Sequence, residues 1–279
     1  MIEGLTLEYA YARVCARLAQ RPDERLWSQV RSARSVPVLL ETLRGSVAAS
    51  TVTGIAPGGD ADSLEIAFRQ QLRTRVDEVA AWAPTTWQGA LGFTRFLGDL
   101  PAVVQLLSEE PPPRWIGADP ELAPYAQAAL ADRRAALASG PLAPMAAALD
   151  EATHAQALGR EEPLSRALKR LRSGPALHRA LAVWESEWRA RWPRASSQLL
   201  ADISEVGRTI RSHLLRFGAI AVDDAGASRQ SLAARLATLV RRFPAQPASL
   251  FAYLGVVALD LERLRGEFVV RARPVEVAA

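Results

Sequence analysis

Asparagine is absent from this chain of 279 residues, lysine occurs once (Lys169), and cysteine occurs once (Cys15). One cysteine excludes an internal disulfide and leaves no partner thiolate for a cysteine-based zinc site. Set within an apolar helical pattern, Cys15 reads as a buried thiol in a reducing compartment. The three histidines, His154, His178 and His213, lie far apart, and none has a second histidine within a helical turn. They read as surface or capping residues, and no metal ligand is assigned. Aromatic residues make up only 6% of the chain, which argues against sheet, because strands favour aromatic and β-branched side chains. No apolar run reaches the ~18 residues that a spanning helix needs. Met1 to Ala10 contains Glu3 and Glu8 and lacks the basic start and apolar centre of a secretory leader. The expectation is a cytoplasmic chain without a membrane span.

Hydrophobic residues at 49% and charged residues at 23% supply enough apolar surface to offset the entropy of ordering. The length admits one large domain or two to three small ones. Alanine, leucine and arginine dominate, a mixture that favours helices. The near-exclusive use of arginine reads as GC-rich coding. The net charge of +4 is unevenly spread: residues 1–140 carry 14 basic and 16 acidic groups, residues 141–279 carry 20 and 14. Such an excess suits either a solvated arginine-rich face or attraction to an anionic partner. A nucleic-acid binder would show a denser basic stripe interleaved with aromatics, so no nucleic-acid partner is expected.

Apolar periodicity and helix punctuation agree along most of the chain. Leu7, Tyr11, Val14 and Leu18 fall on one face of a first helix, with Arg13, Arg17 and Arg21 on another. Pro22 is placed to open a second helix carrying Leu26, Trp27 and Val30. Ser35 with Val36-Pro37 opens a third, which Gly45 stops. Residues 46–61 form a loop in which Thr51 to Ile55 has strand character. Asp60 or Asp62 then caps a long helix containing Leu64, Phe68, Leu72, Val76 and Val79. Further helices are expected at 85–97, from Asp99-Pro101, at about 120–138, 141–158, 163–172, 175–192, 195–217, 229–243 and 248–270. Residues 109–120 and 218–228 interrupt them, and the tail from Arg271 is expected to fray. The prediction is an all-α, multi-helix fold with little or no sheet.

No catalytic, cofactor-binding or metal-binding residue is nominated. The chain has no Gly-x-Ser-x-Gly elbow and no phosphate loop ending in Gly-Lys-Ser/Thr. Gly58-Gly59 follows Pro57 and lacks the lysine, so it reads as a flexible loop. Asp223-Asp224 resembles the paired aspartates that hold magnesium in helical isoprenoid synthases, but it runs into Ala225-Gly226-Ala227-Ser228 and reads as a loop and helix cap. Trp184, Trp188 and Trp192 recur every four residues beside Glu185, Glu187, Arg189 and Arg191, which puts three indoles on one helical face. Two readings of that face stand: core packing against a neighbouring helix, or an exposed docking ridge.

Several stretches carry a family resemblance. Tyr9-Ala10-Tyr11-Ala12-Arg13-Val14 opens the chain. Arg25-Leu26-Trp27, Ser35 to Gly45 and Leu64-Glu65 follow it. Leu250-Phe251-Ala252-Tyr253, leading to Asp260-Leu261-Glu262-Arg263-Leu264-Arg265, closes it. Together they resemble the AC39-like family of V-type and A-type rotary ATPases. Val257 stands where a lysine is usual in that family and Glu262 where an arginine is, and Asp99 to Leu107 lacks its asparagine and lysine. The resemblance implies three similar helical bundles arranged as a funnel, and the bundle boundaries are drawn at 1–115, 116–193 and 194–279. It further implies a non-catalytic component that links the central stalk to the membrane rotor ring during proton or sodium transport. No cofactor and no small-molecule substrate are expected, and contact with the cytoplasmic face of the membrane would come through the complex. A generic helical scaffold or adaptor and a helical lipid or isoprenoid enzyme are the alternative readings.

Overall fold

A computed structural model describes residues 6–156, 175–217 and 224–272. Among them are thirteen α-helices and no strand, so the fold is all-α. The expected strand character at Thr51 to Ile55 is not realised. Ala49–Thr51 forms a 3-10 turn, and Val52 and Ile55 instead point into the apolar core. With no partner strand in the sequence, local i to i+3 bonds such as Thr51 N to Ala48 O (2.9 Å) satisfy the backbone.

The chain divides into two compact units, and the division is not consecutive. One unit comprises Met1–Ala83 with Ala233–Ala279, and the other comprises Pro84–Leu232. In the first unit, α1 (Leu7–Ala19) begins where Thr6 Oγ1 accepts from Tyr9 N. The next helix, α2 (Glu24–Ser32), begins two residues after Pro22, because Asp23 is the side chain that caps it, accepting from Leu26 N at 2.8 Å. The third, α3 (Val36–Arg44), has Pro37 in its first turn and ends at Gly45. That glycine has φ −80° and is not in the left-handed region. The long helix α4 (Ala61–Trp82) is capped by Asp60, which accepts from Ser63 N at 2.8 Å.

The closing helix, α13 (Pro247–Ala272), changes character along its length. Every residue from Pro247 to Leu254 is buried, and towards the far end only one stripe (Leu261, Leu264, Phe268) stays inside. That stripe meets Leu64 and Phe68 of α4, Leu39, Leu40 and Leu43 of α3, and Leu26, Trp27 and Val30 of α2 in one apolar cluster. At its centre the Phe68 and Phe268 rings are tilted at 5.4 Å between centroids.

The second unit contains α5 (Thr85–Phe93), α6 (Leu100–Leu106), α7 (Arg114–Ala118), α8 (Leu130–Ala138), α9 (Ala143–Gln156), α10 (Pro175–Arg189) and α11 (Ser197–Phe217). The expected helix at 120–138 starts only at Leu130. Pro120 does not open it, and the chain from Arg114 to Tyr125 makes the short α7 and a 3-10 turn, with Asp119 buried between them. Asp119 accepts from the N–H groups of Glu121 (2.9 Å) and Leu122 (3.3 Å), a local alternative to continuing the helix. The helix expected at 163–172 lies outside the described residues. The division between the units, at Leu232 and Ala233, falls inside α12 (Ala225–Arg242). This helix starts earlier than expected and takes up the end of the 218–228 interruption.

Candidate functional site

The most elaborate polar arrangement lies where α1, α4 and α13 meet in the first unit. Arg17 of α1 reaches Glu78 Oε1 on α4 at 2.7 Å, and Arg75 takes the other oxygen, Oε2, at 2.7 Å. Arg75 also donates to Ser50 Oγ (2.7 Å) and Ser50 O (3.2 Å), which fixes the 46–55 turn to α4. Past the end of α1, Arg21 makes a two-pronged contact with Asp260 on α13, Nε to Oδ2 at 2.6 Å and Nη2 to Oδ1 at 2.7 Å. Further along, Glu65 on α4 accepts from Arg69 Nε (2.8 Å) and from Arg265 Nη1 on α13 (2.6 Å).

Tyr253 is buried beside this seam, 6% exposed. Burial pushes its phenol up to about 12, with Glu78 and Asp260 acting in the same direction and Arg75 and Arg17 against it. For Glu65 and Glu78 burial alone would raise the carboxyl, but the flanking arginines outweigh it and hold both below the ordinary value. Two anions held ionised by paired guanidinium groups form a tie between helices, beside one phenol held protonated. None of these three groups sits near neutrality, where proton transfer would be efficient.

Cationic stacking adds a contact between α1 and α4 and extends the tie to α2. Arg263 on α13 lies over the Trp27 ring of α2 at 3.8 Å, and Arg13 lies over Trp82 at 5.0 Å. Arg271 donates to Val30 O (3.1 Å), Arg31 O (2.9 Å) and Ala33 O (2.6 Å), so a guanidinium closes the carboxyl end of α2.

The residues that carried the family resemblance therefore share one unit. Tyr9 is 42% exposed, Tyr11 is half-buried, and Leu26, Trp27, Leu64, Leu250, Phe251, Tyr253, Leu261 and Leu264 are buried. The departure at Val257 has a local reason, since its side chain packs against the apolar cluster. Glu262 is exposed and reaches Arg265 Nη2 at 3.4 Å. Cys15 is half-buried, not enclosed as expected, because it sits at the flank of the α1 stripe.

The tryptophan series resolves differently at its two ends. Trp184 (8% exposed) and Trp188 (2% exposed) are core residues, stacked on one another at 5.3 Å, and Trp184 stacks on Phe93 at 6.1 Å. Trp192 is half-buried and meets Trp188 edge-on at 4.8 Å. Arg191 covers Phe93 at 4.0 Å. Gly207 of α11 faces the ladder: a Cβ there would stand 3.0 Å from Trp188 Cζ3. Core packing accounts for the ladder as far as Trp188.

The sequence reading missed Arg133. It is 1% exposed, and its guanidinium donates to five main-chain carbonyls: Leu106 (2.8 Å), Ser108 (2.7 Å), Glu110 (3.3 Å), Gln127 (3.1 Å) and Ala128 (2.7 Å). It is the anchor that orders residues 106–110 and 127–128, on either side of the interruption. The one available signal was an arginine in the midst of an apolar helical stripe beside Leu130 and Leu137.

His213 is buried, with Nδ1 3.5 Å from Ser228 Oγ, and His178 is exposed. The side chain of His154 and the residues Lys169 and Asp223 lie outside the described residues, and Asp224 is exposed ahead of α12. Gly58-Gly59 forms a turn closed by Gly59 N to Ala56 O at 3.2 Å. Among the described residues no three His, Cys, Asp or Glu side chains gather as metal ligands would, and no helix is long and apolar enough to cross a membrane. No protein family, curated protein or solved structure matches the chain.

Proposed function

We propose that the chain is a non-catalytic coupling component of a V-type or A-type rotary ATPase, placed between the central stalk and the membrane rotor ring during proton or sodium transport. The observation that supports this reading is the convergence of the stretches that resemble that family. Glu65 and Arg265, 200 residues apart, lie in two of those stretches and form an ion pair, and Arg21, which follows the opening stretch, holds Asp260 of the closing one in a two-pronged pair. Arg263 of the closing stretch stacks on Trp27 of a third. A torque-bearing body needs helices that cannot slide past one another, and charge-assisted pairs between α1, α4 and α13 oppose sliding better than apolar contact alone. On this reading the protein has no substrate or cofactor of its own, and it meets the cytoplasmic face of the membrane through its partners.

The test is recovery of the tagged full-length chain from gently solubilised membranes of its own cell, with the co-purifying proteins identified by mass spectrometry. Recovery together with rotor-ring and central-stalk proteins is the expected result. Recovery alone, from the soluble fraction, would overturn the proposal and leave a helical scaffold or adaptor as the reading.

A further inference from the structure

We draw no further inference here: the strongest candidate, the aromatic ladder at the end of α10 and just beyond it, with the buried, unpartnered indole N–H groups of Trp184 and Trp192, packs within its own unit, and nothing in the structure shows what accepts from them.

Discussion

Arg133 and, at the end of α2, Arg271 are held by main-chain carbonyls, acceptors that carry no sequence signature, whereas the pairing of Arg271 with Glu267 four residues earlier does. The arginine bias of the composition is legible at once, yet which arginines are structural is not. A guanidinium offers five donors in a rigid plane, whereas an ammonium offers three on a flexible stem. Arg133→Lys therefore strands at least two of the five carbonyls and is expected to cost about 2 kcal/mol or more, since bonds from charged donors contribute about 1.5–3 kcal/mol each. Urea denaturation of the full chain measures this as a lowered midpoint; an unchanged midpoint would show that water serves those carbonyls equally well. The carboxylate of Glu65 makes a pH-dependent counterpart. Its folded value lies below the ordinary 4.5, so its contribution is present above the unfolded value and disappears as pH falls through the folded one. The stability gap between the wild type and Glu65→Gln should be full near neutral pH and shrink as acidification carries the medium below the ordinary carboxylate range and through the lowered folded value. A gap that stays constant across a pH series of denaturation curves would mean that the amide loses packing and not charge pairing.

At the scale of helices, the sequence was most legible where a polar cap precedes a periodic apolar stripe. Asp60 before α4 and Ser35-Val36-Pro37 before α3 mark their helices as expected, because capping and φ restriction act within four residues. Pro22 and Pro120 misled, because a proline permits a helix start without fixing it. Asp23 caps α2 one residue later, and Asp119 bonds its own neighbours and holds Pro120 in a turn. Packing between helices was less legible still, and two glycines show why. Gly207 in α11 and Gly266 in α13 are both mid-helix, where alanine is ordinarily preferred by about 1 kcal/mol. Around Gly266 a Cβ meets nothing within 4 Å, so Gly266→Ala should raise stability by about 0.5–1 kcal/mol. At Gly207 the added carbon presses on the ring of Trp188, which Trp184, stacked on it, and Trp192, edge-on to it, keep from retreating. Gly207→Ala should lose that gain, and Gly207→Val should cost about 1–3 kcal/mol. Thermal midpoints of the three variants decide it. Equal gains at both alanine positions would mean that the ladder is loosely packed.

For the whole molecule, the question is whether the chain is organised as consecutive bundles or with its two ends in one unit. The helix pattern cannot distinguish these, because pairing between remote helices leaves no periodic mark. The ion pairs that reveal it join residues 239 and 200 positions apart, whereas the bundle boundaries drawn at 1–115, 116–193 and 194–279 put the two ends in separate bundles. A truncation separates the two organisations. Ending the chain after Leu232 removes α13 and most of α12. From the first unit it takes Leu261, Leu264 and Phe268, which cluster with Leu64 and Phe68, and it takes the α13 partners of Arg21 and Glu65. Full burial of each such side chain contributes about 1.5–3 kcal/mol, so the loss consumes much of the roughly 5–15 kcal/mol by which a domain is ordinarily stable. If the first unit needs both chain ends, α1 to α4 in the truncated protein should exchange their amide protons quickly and be cleaved first in limited proteolysis, while α5 to α11 retain protection. If instead residues 1–115 made a bundle of their own, α1 to α4 would stay protected in the truncated chain, and hydrogen exchange read helix by helix would show it.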